Sequence, residues 1–495
     1  MNFGLTPLSV VVFFPLVGFL VVLYLREERR DAIRWTGLVA SLVEFGLALW
    51  VLAQFNPANP DMQMVVNLPW LQIGGLPIAY HLGVDGISML MLLLTTFLTP
   101  LAILSAWKAI DQHVKGFMLF FLLLESAMVG VFLSLDLVLF YIFWEFTLIP
   151  MAFLIGIWGG SRRVYAAIKF FLFTMAGSIL MLAAILVAGL TAGTFSLDQL
   201  AGGSAFSAAL QTWLFLGFGA AFAVKVPIWP LHTWLPDAHV EAPTAGSVSL
   251  AGILLKMGAY GFIRFSITLF PEAARQFAPW LAGLAIVGIL YGAAVSLAQK
   301  DMKKLVAFSS VSHMGFVILG LFALNLQSVT GGILQMINHG LSTGALFLIV
   351  GMIYERRHTR ELEQMGGLWK AMPVLGALSL IVVLSSMALP GLNGFVGEFN
   401  ILAGAFNSTI LGSPWFAGVA AVGVILAAVY LLHFFQKVFL GPLARPENQA
   451  LKDLSFREVI ILAPIIVMIF WIGIYPQPFI DLLAPTVTKL LAVFK

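Results

Sequence analysis

From Leu5 onward the chain is written in apolar runs of about 20 residues, each closed by a short polar or Pro/Gly-marked stretch, and no polar domain interrupts the series. A run of that length crosses a hydrocarbon core of about 30 Å as an α-helix. The runs predict helices over 5–25, 35–54, 85–107, 116–134, 137–158, 165–191, 211–227, 243–268, 277–298, 303–324, 328–354, 373–408, 416–440 and 457–475, the twelfth interrupted near residue 390. That is an all-α membrane protein of fourteen spans in one integral domain. The first run has no positive segment before it and no small-residue cleavage site after it, so it reads as a retained helix. The tail after Pro476 and Pro478 reads as an amphipathic helix lying at the interface. Segments 55–84 and 192–210 read as loops, the second with Gly202, Gly203 and Ser204 at a turn.

Composition agrees: 61% of the 495 residues are hydrophobic and 10% charged, with a mean hydropathy of +1.00, which excludes a soluble enzyme. The absence of cysteine excludes a disulfide, a thiol nucleophile, an iron–sulfur cluster and a c-type haem on this chain. The net charge of +3 conceals a strong segregation. Alternate loops carry Arg26, Arg29, Arg30 and Arg34, then Lys108 and Lys115, Arg162 and Arg163, Lys300, Lys303 and Lys304, Arg356, Arg357, Arg360 and Lys370, and Lys437, Arg445, Lys452 and Arg457, nineteen of the 26 basic residues. By the positive-inside rule those loops are cytoplasmic and both termini face outward.

A charge at mid-membrane costs about 2.5–3.5 kcal/mol even on the lenient insertion scale, so each one is a functional candidate. Glu125, Glu145, Lys169, Lys225, Lys256, His313, His339 and Glu398 all fall within predicted spans. Gln335, Asn338, His339 and Ser342 form one polar stripe at helical spacing, and Ala245, Ser249, Gly252 and Lys256 form another. Lipid satisfies neither, so both must face protein or water. Pro227 and Pro230 break the seventh helix beside Lys225, and Pro390, Gly391 and Gly394 break the twelfth shortly before Glu398. Broken helices at membrane depth line cavities and recur as ion sites in transporters. One break in each half suggests two related repeats of inverted topology, 85–268 and 269–440, between an N-terminal region 1–84 and a C-terminal region 441–495.

Other readings compete. A buried Glu–Lys pair can merely fix helix packing. His313 and His339 on adjacent helices are a possible haem ligand pair. Asp237, His239 and Glu241 are the one compact constellation that an enzyme acting on a lipid-linked substrate would need. Asp136, Asp301 and Arg264 read as caps or interface anchors, Trp229 and Trp234 as belt residues, and Glu44 has no evident partner.

At "KVPIWPLHTWLPDAHVEAPTAGSVSLAGILLKMGAYG", residues 225–261, the chain resembles the M-type antiporter-like subunits in the membrane arm of NADH:quinone oxidoreductase (respiratory complex I), a family that includes mitochondrial chain 4. "FWEFTLIPMAFLIGIWGG" at 143–160, "QKDMKKLVAFSSVSHMGF" at 299–316 and "ALPGLNGFVGEFNIL" at 388–402 carry the same resemblance, which runs from near residue 80 to near 476. It implies that Glu145 and Lys225 are the coupled pair of a first half-channel, that Lys256 is the central relay, and that Glu398 ends the second half-channel where L-type paralogues have lysine. His232, His313 and His339 would line the hydrated axis between them, with Lys169 in the same ionisable series. Ser249 departs from the aliphatic residue expected there.

The resemblance further implies no cofactor on this chain, with flavin, iron–sulfur clusters and quinone on partner subunits. It implies L-type and N-type neighbours, surrounding lipid, no nucleic acid, and a bacterial inner membrane. Moving Glu145 toward or away from Lys225 would change the lysine's proton affinity by about 4 kcal/mol. One charge crossing about 150–200 mV costs about 3.5–4.6 kcal/mol, so a single pair matches one proton step. A subunit of a multisubunit sodium/proton antiporter or a membrane-bound hydrogenase, which share this fold, would use the same path.

Overall fold

The computed structural model describes residues 6–494; Leu5, where the first span was expected to begin, and Lys495 lie outside the described residues. Helices α1 (Pro7–Tyr24) and α2 (Arg30–Gln54) are followed by a hairpin of β1 (Gln63–Ile73) and β2 (Leu76–Val84). Then come α3 (Gly86–Ala109), α4 (Val114–Leu133), α5 (Leu137–Trp158), α6 (Arg163–Ala192), α7 (Ala208–Lys225), the short α8 (Trp234–Glu241) and α9 (Thr244–Ile267). The chain continues through α10 (Pro271–Leu297), α11 (Met302–Phe322), α12 (Leu326–Arg357), α13 (Pro373–Ser386), α14 (Asn393–Phe406), α15 (Trp415–Phe439), α16 (Phe456–Ile474) and α17 (Gln477–Leu491).

Polar residues at the run boundaries start the helices. Asp85 accepts from Ile87 N and Ser88 N and opens α3 with a capping box; Asp136 on α5 and Asp301 on α11 each accept from two first-turn amides without the box. Arg264 is neither cap nor anchor. It is a buried guanidinium holding both oxygens of Asp85 at 2.7 Å, so it ties the end of α9 to the start of α3. The loop reading of 55–84 resolves into a hairpin turning at Gly74 and Gly75, which have φ of +59° and +84°, the two consecutive positive values a tight twisted hairpin requires.

Among the described residues fourteen helices are long and apolar enough to cross a membrane. Their membership differs from the sequence reading: the set takes in Gln477–Phe494 and omits α13 and α14, each 14 residues, because the elbow at 387–392 splits that span in two. The elbow carries Ala388 at φ +59° and Gly391 at φ +90°. The tail helix α17 buries Leu482, Leu483, Val487 and Leu491 on one side, and Thr486 reaches the amide of Gly86 while Lys489 meets Asp61 at 2.6 Å.

The helices sort by exposure. In the most apolar windows of α9 and α12 every residue is buried, and 94% are in α11, against 33–39% in α1, α2, α6, α10, α15 and α16. The three helices that carry Lys256, His313 and His339 are therefore sealed from lipid by the rest. The basic loops gather at one end: Gly160 N donates to Glu241 O, Arg360 to Val240 O, Met302 N to Arg360 O and Gly367 N to Leu440 O.

Candidate functional site

The site is built where the regular helices fail. Helix α7 stops at Lys225, the chain turns through 226–233, and α8 resumes at Trp234. Trp234 Nε1 recovers one freed carbonyl, that of Val224, at 2.8 Å. Helix α9 winds as π-helix over Leu250–Leu254 and again over Phe262–Ile267. The wider turn leaves the Ala251 carbonyl for Lys256 Nζ, five residues on. The regular stripe expected through Ser249, Gly252 and Lys256 is thus partly rewound. Gly252 and Lys256 still face α12, while the buried Ser249 hydroxyl has no partner.

From Lys256 a line of polar groups crosses the sealed helices. Lys256 Nζ lies 2.6 Å from His339 Nδ1. The His339 and His313 rings are 6.0 Å apart, and His313 Nδ1 is 3.0 Å from Glu398 Oε1. Gln335 donates to the same Glu398 oxygen at 2.9 Å. Asn338 donates to the Asn393 carbonyl at 2.7 Å, and Ser342 meets Ser385 at 2.6 Å. Gln335, Asn338 and Ser342 of the α12 stripe are therefore spent on the broken pair α13–α14, while His339 turns to Lys256 on α9. Among these side chains lies a cavity of about 10 Å³, room for about one water and none for a macrocycle. His339 Nε2, Asn338 Oδ1 and Glu398 Oε2, all buried and unpartnered, mark the same place. That argues against the haem ligand pair.

One participant was not singled out from the sequence, and a second was singled out only as part of an enzyme-like constellation. Tyr430, fully buried on α15, places its hydroxyl 3.0 Å from His313 Nε2, so His313 bridges Tyr430 and Glu398. His239 on α8 is fully buried with both ring nitrogens unpartnered, stacked on Phe347 at 4.5 Å and within electrostatic reach of Lys303 and Lys256. A single hydroxyl in the apolar run "AAVYLLHFF" was the only signal for Tyr430, and it looks like any interfacial tyrosine.

The first half is less joined. Lys225 is buried, but its ammonium makes no hydrogen bond; it lies 5.3 Å from the Trp144 ring centre and 5.6 Å from that of Phe170. Glu145, one residue after Trp144, is half-buried and forms no ion pair with it, although the two are within Coulombic reach. Lys169 pairs instead with Asp237 at 2.7 Å, a carboxylate that Arg162 also approaches at 3.4 Å. His232, in the break after α7, stacks edge-on against Tyr291 at 5.1 Å. Asp237, His239 and Glu241 point to separate partners, Lys169, Phe347 and the Arg162 amide, and so form no catalytic constellation.

At the basic end a cavity of about 560 Å³ opens between the ends of α3, α5, α8 and α12. Glu241, Arg360 and Lys303 line it, and the Lys303 ammonium rests on the Ala242 carbonyl at 2.5 Å.

A bundle with two broken helices and a buried file of acids and bases matches an ion-translocating membrane subunit of the antiporter-like class. The chain belongs to the NADH:quinone oxidoreductase/Mrp antiporter transmembrane family, whose profile matches residues 134–427. Over 98% of its length it is 46% identical to NADH-quinone oxidoreductase subunit M of Rhodobacter capsulatus, of which it covers 96%. It superposes on a chain of respiratory complex I from Thermus thermophilus with bound NADH at a TM-score of 0.89 and 34% identity, covering 99% of this chain and all of that one. A chain of the Mrp complex from Dietzia sp. DQ12-45-1b aligns at a TM-score of 0.85 over 98% of both chains, but at 20% identity, which shows a common fold.

Proposed function

We propose that this chain is the M-type proton-translocating subunit of a bacterial NADH:quinone oxidoreductase, and that it moves protons along Lys225, Lys256, His339, His313 and Glu398 while quinone is reduced elsewhere in the assembly. The observation that carries the reading is the buried line from Lys256 to Glu398, in which each group is a proton donor or acceptor and the one gap has room for a water. The cavity at the basic end supplies an inlet by way of Lys303 and His239. The segments 85–268 and 269–440 act as two half-channels of inverted topology, each with a helix broken beside an ionisable side chain.

Glu145 and Lys225 act as a switch rather than a fixed pair. With the ammonium on aromatic faces and no carboxylate in contact, the geometry matches the state in which the lysine gives up its proton. Closure of the pair by side-chain rotation would restore its affinity. Flavin, iron–sulfur clusters and quinone belong to partner subunits, L-type and N-type paralogues flank this chain, and lipid covers the rest. The basic end is cytoplasmic and both termini lie on the outer side of the inner membrane.

The test is proton transfer by the assembled complex in sealed vesicles, measured per quinone reduced. Glu398→Ala is expected to remove most pumping, whereas Glu398→Lys, which keeps a titratable group, retains a measurable part. Equal pumping by wild type and Glu398→Ala at matched expression would show that the proton leaves by another route.

A further inference from the structure

Two carboxyl groups stand outside the line from Lys256 to Glu398. Glu44 lies midway along α2 and Glu125 midway along α4, both 0% exposed. All four of their oxygens are buried without a hydrogen-bond partner. The two side chains lie within Coulombic reach of each other. Helices α1, α2, α3, α5 and α9 pack on α4, and none supplies a cation. Arg34 is held by Asp31 and the Ile110 carbonyl, Lys115 by the Leu23 and Leu25 carbonyls, Lys256 by His339, and Arg264 by Asp85; Glu145 on α5 adds only another acid. The Leu255–Gly261 stretch of α9, which carries Lys256, touches α4 directly, and both helices also pack on α3. The Thr95 and Thr99 hydroxyls of α3 are spent on the Met91 and Thr95 carbonyls, and Leu94 and Leu98 press on Gly340 and Gly252 of the sealed helices.

Two ionised carboxylates within Coulombic reach in a buried apolar layer, with no cation beside them and the Thr99 hydroxyl alone near Glu125, are excluded by the desolvation of each charge and by their mutual repulsion. A proton on either removes one charge and the repulsion with it. We propose that Glu44 and Glu125 form a proton-binding carboxyl pair between α2 and α4, separate from the Lys256–His339 line, that holds at least one proton at neutral pH and acts on the line only through its field. The pair is not a step of the pumping route proposed above, and its failure leaves that route standing.

The experiment uses the assembled complex carrying Glu44→Gln with Glu125→Gln. Relative to wild type, its infrared spectrum is expected to lack a deuterium-sensitive carboxylic-acid carbonyl stretch; loss of carboxylate bands alone would mean that both groups are ionised, and overturns the pair. Each single glutamine variant, the same shape as the acid it replaces and neutral, is expected to accumulate and to pump protons per quinone within about twofold of wild type. A single variant that assembles and reduces quinone but pumps tenfold less overturns the separation, because it places the carboxyl on the conduction route.

Discussion

At the scale of single residues, the site works through bonds that decide where a proton sits. His313 has Glu398 on Nδ1 and the Tyr430 hydroxyl on Nε2. A carboxylate only accepts, so in the neutral ring Nδ1 carries the proton and Nε2 accepts from the tyrosine. Tyr430 thereby selects the tautomer that faces the glutamate, as an outer partner does for a metal-bound histidine. Tyr430→Phe removes a bond worth about 0.5–1.5 kcal/mol, so pumping per quinone should fall by a factor of about 3–10 with quinone reduction less affected. An unchanged ratio would make Tyr430 a bystander. Most of the acids and bases here were legible in the sequence because a charge in a hydrophobic run advertises its own cost. Their pairings were not. Lys169 goes to Asp237 rather than to the main line, and Lys225 rests on Trp144 rather than on Glu145. Hydropathy measures the expense of burial and carries no information about which neighbour meets it.

At the scale of elements, the interruptions are as specific as the helices. The elbow between α13 and α14 is held by Asn393, whose side chain accepts from Ser385 at 2.5 Å and donates to Ser342 at 3.4 Å, while its carbonyl receives Asn338. Asn393→Ala keeps the carbonyl bond, removes two side-chain bonds and leaves the serine hydroxyls only each other, a loss of about 1–3 kcal/mol. Hydrogen exchange across 387–397 in the assembled complex should accelerate by about 5–100-fold, with pumping reduced more than quinone turnover. Unchanged exchange would mean that packing alone fixes the elbow. Both broken helices were visible beforehand as prolines inside apolar runs. The π-helical turns of α9 were not, since no residue in "LAGIL" is incompatible with an α-helix; packing against α3 and α12 selects the wider winding. The hairpin was missed for a related reason. Its alternation is blurred by Pro69 and a register shift between Pro69 and Leu71, which leaves Gly74–Gly75 as the one clear turn signal.

At the scale of the whole molecule, the order of spans and the alternation of basic loops were recoverable because both follow from transfer energies summed over many residues, where single errors average out. The gathering of those loops at one end agrees with that alternation, and their side of the membrane is open to a direct test. With no native cysteine, Ser204→Cys and Glu363→Cys are clean reporters. An impermeant thiol reagent should label the first only from outside intact cells and the second only in inverted vesicles; labelling of Ser204→Cys from the cytoplasmic side alone would reverse the orientation. The hollow at the basic end also bears on where electrical work is done. Water in a cavity of about 560 Å³ takes up little of an applied voltage, so the drop falls across the close-packed bundle beyond its floor. At about 2.3 kcal/mol per charge per 100 mV, the protein behaves as a voltage divider: a proton crossing the hollow does little electrical work, and one crossing the packed bundle does most of it.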